Sequence, residues 1–316
     1  MVKIYFWIVL LGLTACQDAS NAVSVEQYNP PKIPYLVVLG VAQDAGFPQA
    51  NCKKDCCKIA WEDLSKRKSV SCIALVEPEQ QQAWIFDATP DFKDQLRQLE
   101  KLGVQKIAGI FLTHAHIGHY TGLIHLGHEV MGAKGIPVYA MPRMKTFLTN
   151  NGPWSQLVDF GNIKIRVLQA NTTVDLGKGL SVTPYLVPHR DEYSETVGYQ
   201  IRGQQQSAVF IPDIDKWKKW DRSIIEVIKS NNLAFLDGSF YRNGEIFGRD
   251  MALIPHPFLV ESMDLFQDLA TSDKQKVHFI HFNHTNPVLQ ENSAAQQDVL
   301  GRGFSIAQEM QLFSLE

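Results

Sequence analysis

Three imidazoles fall within six residues at Thr113-His114-Ala115-His116-Ile117-Gly118-His119, in a chain whose 316 residues include only 10 histidines. The stretch follows an apolar run, so these side chains are anchored at a strand end and project from one turn. Imidazole is the commonest protein ligand for divalent transition metals, and several rings converging on one point suit such an ion. An ion held by neutral imidazoles keeps its positive charge, and a coordinated water then loses its proton at a pKa of about 7 instead of 15.7. The chemistry expected is attack of a metal-bound hydroxide on a carbonyl or phosphoryl centre. Serine hydrolysis is disfavoured, because Asp237-Gly-Ser239 lacks the second glycine of a nucleophile elbow. No glycine-rich turn with dinucleotide or phosphate-loop spacing follows a strand.

Positioning such a cluster takes rigid strands, and short apolar runs bounded by turn residues predict them at 35–40, 71–76, 83–87, 107–113, 163–167, 180–187, 196–201, 207–211, 233–236 and 277–282. Apolar residues at helical spacing predict helices over 91–102, 120–131, 144–150, 216–230 and 260–269. Strand meanders interleaved with helices point to a mixed α/β architecture. With 45% hydrophobic and 20% charged residues the chain can bury a large core, and no linker divides residues 35–316, so one domain is expected.

The histidine stretch resembles the His-x-His-x-Asp-His signature of the metallo-β-lactamase superfold, and other landmarks follow in order. Asp87-Ala-Thr-Pro-Asp91 resembles the aspartate-bearing turn before that signature. His189, in Val187-Pro-His-Arg, resembles the third histidine, and Asp213, in Phe210-Ile-Pro-Asp, stands at the metal-bridging aspartate. A final histidine would be His281, with His284 as its rival. Leu39-Gly-Val-Ala-Gln-Asp-Ala-Gly-Phe-Pro-Gln49 with Asn51-Cys52, and Ile280-His-Phe-Asn-His-Thr-Asn-Pro287, narrow the resemblance to the pyrroloquinoline-quinone biosynthesis protein B family. The resemblance implies an αββα sandwich over 35–316, two mixed β-sheets packed face to face with helices outside. It also implies zinc held by His114, His116, His119, His189, Asp213 and His281, with Asp213 and His119 sharing in catalysis on a small-molecule ester, lactone, amide or phosphodiester. Oxidative chemistry on a cofactor precursor is the alternative this family implies, and a non-enzymatic metal-binding lipoprotein is the other.

Two departures matter. Gly118 occupies the aspartate position of the signature, which predicts one firm catalytic metal and a second that binds weakly or needs His256 or His284. Conversely, His114 and His116 are both present, where the named family tends to lack a full set. His256, between two prolines, is a loop residue able to reach that site or touch substrate. His125 and His128 lie off the apolar stripe of their predicted helix and are expected to be exposed. Cys52, Cys56 and Cys57 resemble the family's structural zinc knuckle with its middle cysteine displaced, while a disulfide from Cys72 to one of them is the competing reading.

Lys3 and the apolar run from Ile4 to Leu13 are too short to span a bilayer and have the length of a signal-peptide core. Leu13-Thr14-Ala15-Cys16 resembles a lipobox. The expectation is therefore a signal peptide over 1–15, a lipidated tether over 16–34 beginning at Cys16, and an exported protein on the periplasmic side, at the outer membrane. A formal net charge of −3 gives no electrostatic footprint for nucleic acid. The lysines of 216–219 are read as the solvated face of a helix.

Overall fold

The computed structural model describes residues 30–316, so the signal peptide expected over 1–15, Cys16 and residues 17–29 of the expected tether lie outside the described residues. Among the described residues, fourteen strands form two seven-stranded sheets. The first sheet contains β1 (Tyr35–Gly40), β2 (Cys72–Glu77), β3 (Gln82–Phe86), β4 (Lys106–Phe111), β5 (Ile136–Ala140) and β6 (Ile163–Val167). The second contains β7 (Val174–Gly177), β8 (Leu180–Leu186), β9 (Val197–Arg202), β10 (Ser207–Ile211), β11 (Leu233–Asp237), β12 (Val277–Ile280) and β13 (Ser305–Ile306). The last strand, β14 (Leu312–Ser314), returns to pair with β1 and completes the first sheet. Both sheets are mixed: β1 to β3 and β7 to β10 pair antiparallel, whereas β3 to β6 and β10 to β13 pair parallel.

Strand periodicity explains why the layers stack. In β1, Leu36 and Val38 join the core between the sheets, while Tyr35, Val37 and Leu39 join a second core on the opposite face. The inter-sheet core is aromatic at its centre, with Phe86 stacked on Phe111 at 5.3 Å and Tyr199 edge-on to Phe86 at 5.5 Å. The outer core is closed by the helices over the first sheet: Phe92 and Leu99 from Phe92–Lys101, Leu148 from Pro142–Asn150 and Leu157 from Trp154–Asp159 are all buried there. On the far side of the second sheet, Ile224 and Ile228 of Ile224–Lys229 and Leu259 and Met263 of Leu259–Leu265 are buried. The result is the helix, sheet, sheet, helix order expected.

Two long helices expected from periodicity are short. The one expected over 120–131 is a single turn, Ile117–Tyr120, followed by a 3-10 segment Thr121–Leu126. The Asp87 turn breaks it: Ala88 N–H donates to His119 O, and Gly122 N–H donates to Ala88 O instead of continuing the helical ladder. A Cβ at Gly122 would lie 2.1 Å from Thr89 O, so only glycine lets the two segments approach. Val130, expected on the buried stripe, is exposed. The helix expected over 216–230 splits because Trp217 and Trp220 anchor separately, donating to Ser262 Oγ and Leu186 O, and Ser223 caps a fresh start by accepting from Glu226 N–H. β5 escaped the sequence reading because Pro137 argues against a strand.

Candidate metal centre

β1, β3, β4, β8, β10, β11 and β12 run in the same sense within their sheets, so their C-terminal ends meet at one edge of the sandwich. The chain leaves those ends carrying Asp44, Asp87, His114 to His119, His189, Asp213, Asp237 and His281 respectively. Residues scattered over more than 200 positions therefore converge. Asp44, Asp87 and His281 hold φ at 35°, 72° and 69°, a left-handed backbone that side-chain-bearing residues adopt infrequently and that concentrates at functional sites.

Asp213 is the hub. Its Oδ2 lies 3.3 Å from His114 Nε2, 3.5 Å from His119 Nε2 and 3.7 Å from His281 Nε2, and its Oδ1 lies 3.3 Å from His189 Nε2. Burial opposes charge on this carboxyl, but His189, His281 and His256 overcome it and hold it well below the usual carboxylate range. The donor atoms sort into two sets around it. His114, His116, His189 and Asp213 form one, with His114 Nε2 only 2.8 Å from His116 Nδ1; Asp44, His119 and His281 form the other. A tetrahedral ion with bonds of about 2.0–2.1 Å places its ligand atoms about 3.3–3.4 Å apart, which the 3.3 Å separations of Asp213 from His114 and His189 match.

These groups fit a divalent cation because they fit nothing else nearby. Asp213 Oδ1, His119 Nε2, both ring nitrogens of His189, His281 Nε2 and Asp44 Oδ1 are buried without a hydrogen-bond partner. A buried polar atom left unpaired costs about 1–3 kcal/mol, so these atoms, apart from His189 Nδ1 on the far side of its ring, call for a cation beside each of the two sets. Burial also holds the His189 ring down to about 4 and pushes His114 and His281 well below their ordinary range, favouring the neutral imidazole that ligation requires.

A second layer of hydrogen bonds aims the rings. His119 Nδ1, assigned as the donor from its partners, gives its proton to Asp87 Oδ2 at 2.7 Å, and Asp87 also accepts from Thr113 N–H and Oγ. Burial alone would lower His119, but Asp87 and Asp213 raise it to about 10. His281 Nδ1 meets Ser239 Oγ at 2.9 Å, and His116 Nε2 meets the half-exposed Glu192 at 3.2 Å. Such partners fix the ring orientation and raise ligand basicity. His256, expected either to reach the centre or to touch substrate, does the first: it is turned inward and buried. Its Nδ1 donates to Asp237 Oδ2 at 2.8 Å and stands 3.2 Å from Asp213 Oδ1, so it positions the hub. Burial lowers His256, yet Asp237 and Asp213 raise it to about 9.

His281 and His284, rivals in the sequence, go to different places. His281 belongs to the centre, while His284 joins Cys52, Cys56 and Cys57 in a separate group of four donors. Cys52 and Cys56 Sγ are 3.9 Å apart, near the edge of about 3.8 Å expected for thiolates at 2.3 Å around a tetrahedral ion. The competing disulfide does not form: Cys72 is free and fully buried in β2, its thiol near Asp87 O, and burial raises it well above its ordinary range. His128 is exposed as expected, but His125 is only partly so, stacked on Phe92 at 6.2 Å. Asp44, Asp237 and Glu192 were missed. Each is an ordinary acidic residue in a loop or at a strand end, and only packing brings it to a histidine.

A β-lactamase superfamily domain model matches residues 84–282. Coenzyme PQQ synthesis protein B of Methylorubrum extorquens is 23% identical over 304 residues, covering 87% of this chain and 98% of its own length. The protein of the same name from Cupriavidus necator is 26% identical over 299 residues, covering 85% and 96%. Zinc-bound PqqB from Methylobacterium extorquens superposes with a TM-score of 0.75 at 23% identity, covering 89% of this chain and all of that one. A diphosphatase from the PhnP family gives 0.61 at 21% identity, covering 89% and 96%. At these identities the solved structures speak for the fold alone. The matched segment takes up more than half of the chain and carries every residue of the centre except Asp44, and the chain belongs to the β-lactamase superfamily.

Proposed function

We propose that this protein is a metal-dependent hydrolase acting on a small-molecule ester, lactone, amide or phosphodiester. The observation that carries the reading is the set of buried, unpartnered imidazole and carboxylate atoms around Asp213. Zinc suits this mixture of nitrogen and oxygen donors, and when bound it supplies a Lewis acid and a water that is acidic near neutral pH. His114, His116 and His189 would hold it, with Asp213 as the carboxylate, and Glu192 would keep the His116 ring turned inward. Asp237, through His256, holds Asp213 in place. A groove of about 930 Å³ is lined by chain neighbours of these residues, among them Arg190, Asp215, Pro255 and Pro257, and would admit a small substrate. Cys52, Cys56, Cys57 and His284 would hold a separate structural zinc with all four positions filled.

Similarity to coenzyme PQQ synthesis protein B favours a second reading, oxidation of a cofactor precursor. The intact His114–His116 pair supports hydrolysis instead. The two separate in one experiment: metal analysis of the purified chain, then a screen of activated esters, lactones, amides and phosphodiesters before and after chelation. Hydrolysis that disappears with the metal and returns with added zinc is expected. A chain that binds no metal outside the cysteine group, or whose only turnover consumes dioxygen, would overturn the hydrolase reading.

A further inference from the structure

Gly118 leaves the superfold signature without its aspartate, yet the place of that side chain is not empty. A Cβ built on Gly118 would sit 2.7 Å from Asp44 Cα, 3.0 Å from Asp44 Oδ1 and 3.1 Å from Asp44 O. The loop that follows β1 has entered the volume that a residue-118 side chain would need, and it brings its own carboxylate. Asp44 Oδ1 is buried with no hydrogen-bond partner, although the rest of the side chain is partly exposed, and it lies 3.9 Å from His119 Nε2. His119 and His281 are both fully buried, and the Nε2 of each is also unpartnered. These three donor atoms lie within 4.8 Å of one another. The left-handed φ of Asp44, 35°, is an uncommon backbone state for a residue with a side chain, and it turns the carboxylate toward the histidines.

We propose that Asp44 supplies to a second divalent cation the carboxylate that Gly118 cannot, together with His119, His281 and a shared oxygen of Asp213. The centre then holds two ions, and the absent side chain at 118 is the condition for it, because an aspartate there and the Asp44 loop cannot occupy the same space. This rests on the metal-dependent reading above and revises the weak second site that the signature alone implied.

The test is metal stoichiometry and affinity in the full chain, read by elemental analysis and calorimetric titration of zinc into the metal-free protein, and by cobalt absorption after substitution. Wild type should bind two ions at the centre beyond any held by the cysteines. Asp44→Asn, nearly isosteric, should weaken the second ion by at least tenfold, consistent with losses of about 10–100-fold when even an outer partner is removed. The first ion should keep its affinity. Gly118→Asp alone should fold less stably, and adding Asp44→Gly should not relieve it fully, because the backbone Cα and O of residue 44 remain 2.7 and 3.1 Å from a residue-118 Cβ. Two ions of unchanged affinity in Asp44→Asn would overturn the assignment of Asp44 while leaving the metal-dependent reading intact. A wild type with no ion at the centre would instead sink that reading.

Discussion

The centre and the cysteine group are both clusters of buried donor atoms, but they are built differently. The centre draws on seven strand ends from both sheets, and its rings are aimed by hydrogen bonds to the carboxylates of Asp87 and Glu192 and with the hydroxyls of Thr113 and Ser239. The cysteine group comes from Cys52–Cys57 and one loop histidine, packed on a small apolar patch of Ala42, Phe47, Cys57 and Ala60 at the edge of the fold. One is aimed by a second layer of hydrogen bonds; the other gathers four donors of its own. A site that must bind and release substrate needs preorganised ligands with a vacant position, whereas a site that only ties a loop down needs its coordination filled.

The largest expected effect comes from Asp213→Ala, the change to the one residue that touches both halves of the centre. Activity should fall by more than the roughly 10–100-fold that loss of an outer partner costs. Metal content should drop to the ion of the cysteine group alone, and retention of both central ions would break the idea of a shared hub. Cys57→Ser should do the converse. It should remove the cysteine-bound metal and lower Tm by several degrees, the scale of roughly 1–3 kcal/mol for a buried lesion. Activity per folded chain should stay near wild type, and a large loss of activity at unchanged Tm would show that the two groups are functionally joined. The smallest effect should come from Glu192→Gln. This carboxylate is 48% exposed, so its grip on His116 should be worth about 0.2–1 kcal/mol, a weakening of metal affinity of at most about fivefold. A loss as large as that of Asp213→Ala would place Glu192 among the ligands.

The sequence by itself determined ten of the fourteen strands among the described residues and half of the chemistry. Every strand named from periodicity is present within a residue or two, because a strand's alternating burial is a local pattern written in consecutive residues. His114, His116 and His119 announced themselves by density, and His189, Asp213 and His281 by their place after strands in a known order. What tertiary structure decided is everything that depends on where two distant loops meet. The long helix expected after His119 stops because the Asp87 turn takes its backbone bonds. His284 leaves the centre for the cysteines. Asp44, 74 positions before Gly118, fills the space beside that glycine. The reason is physical: hydrophobic patterning acts over neighbours in sequence, whereas ligand geometry is set by the approach of strand ends from two sheets, and no local pattern specifies which loop will fill a missing side chain's volume.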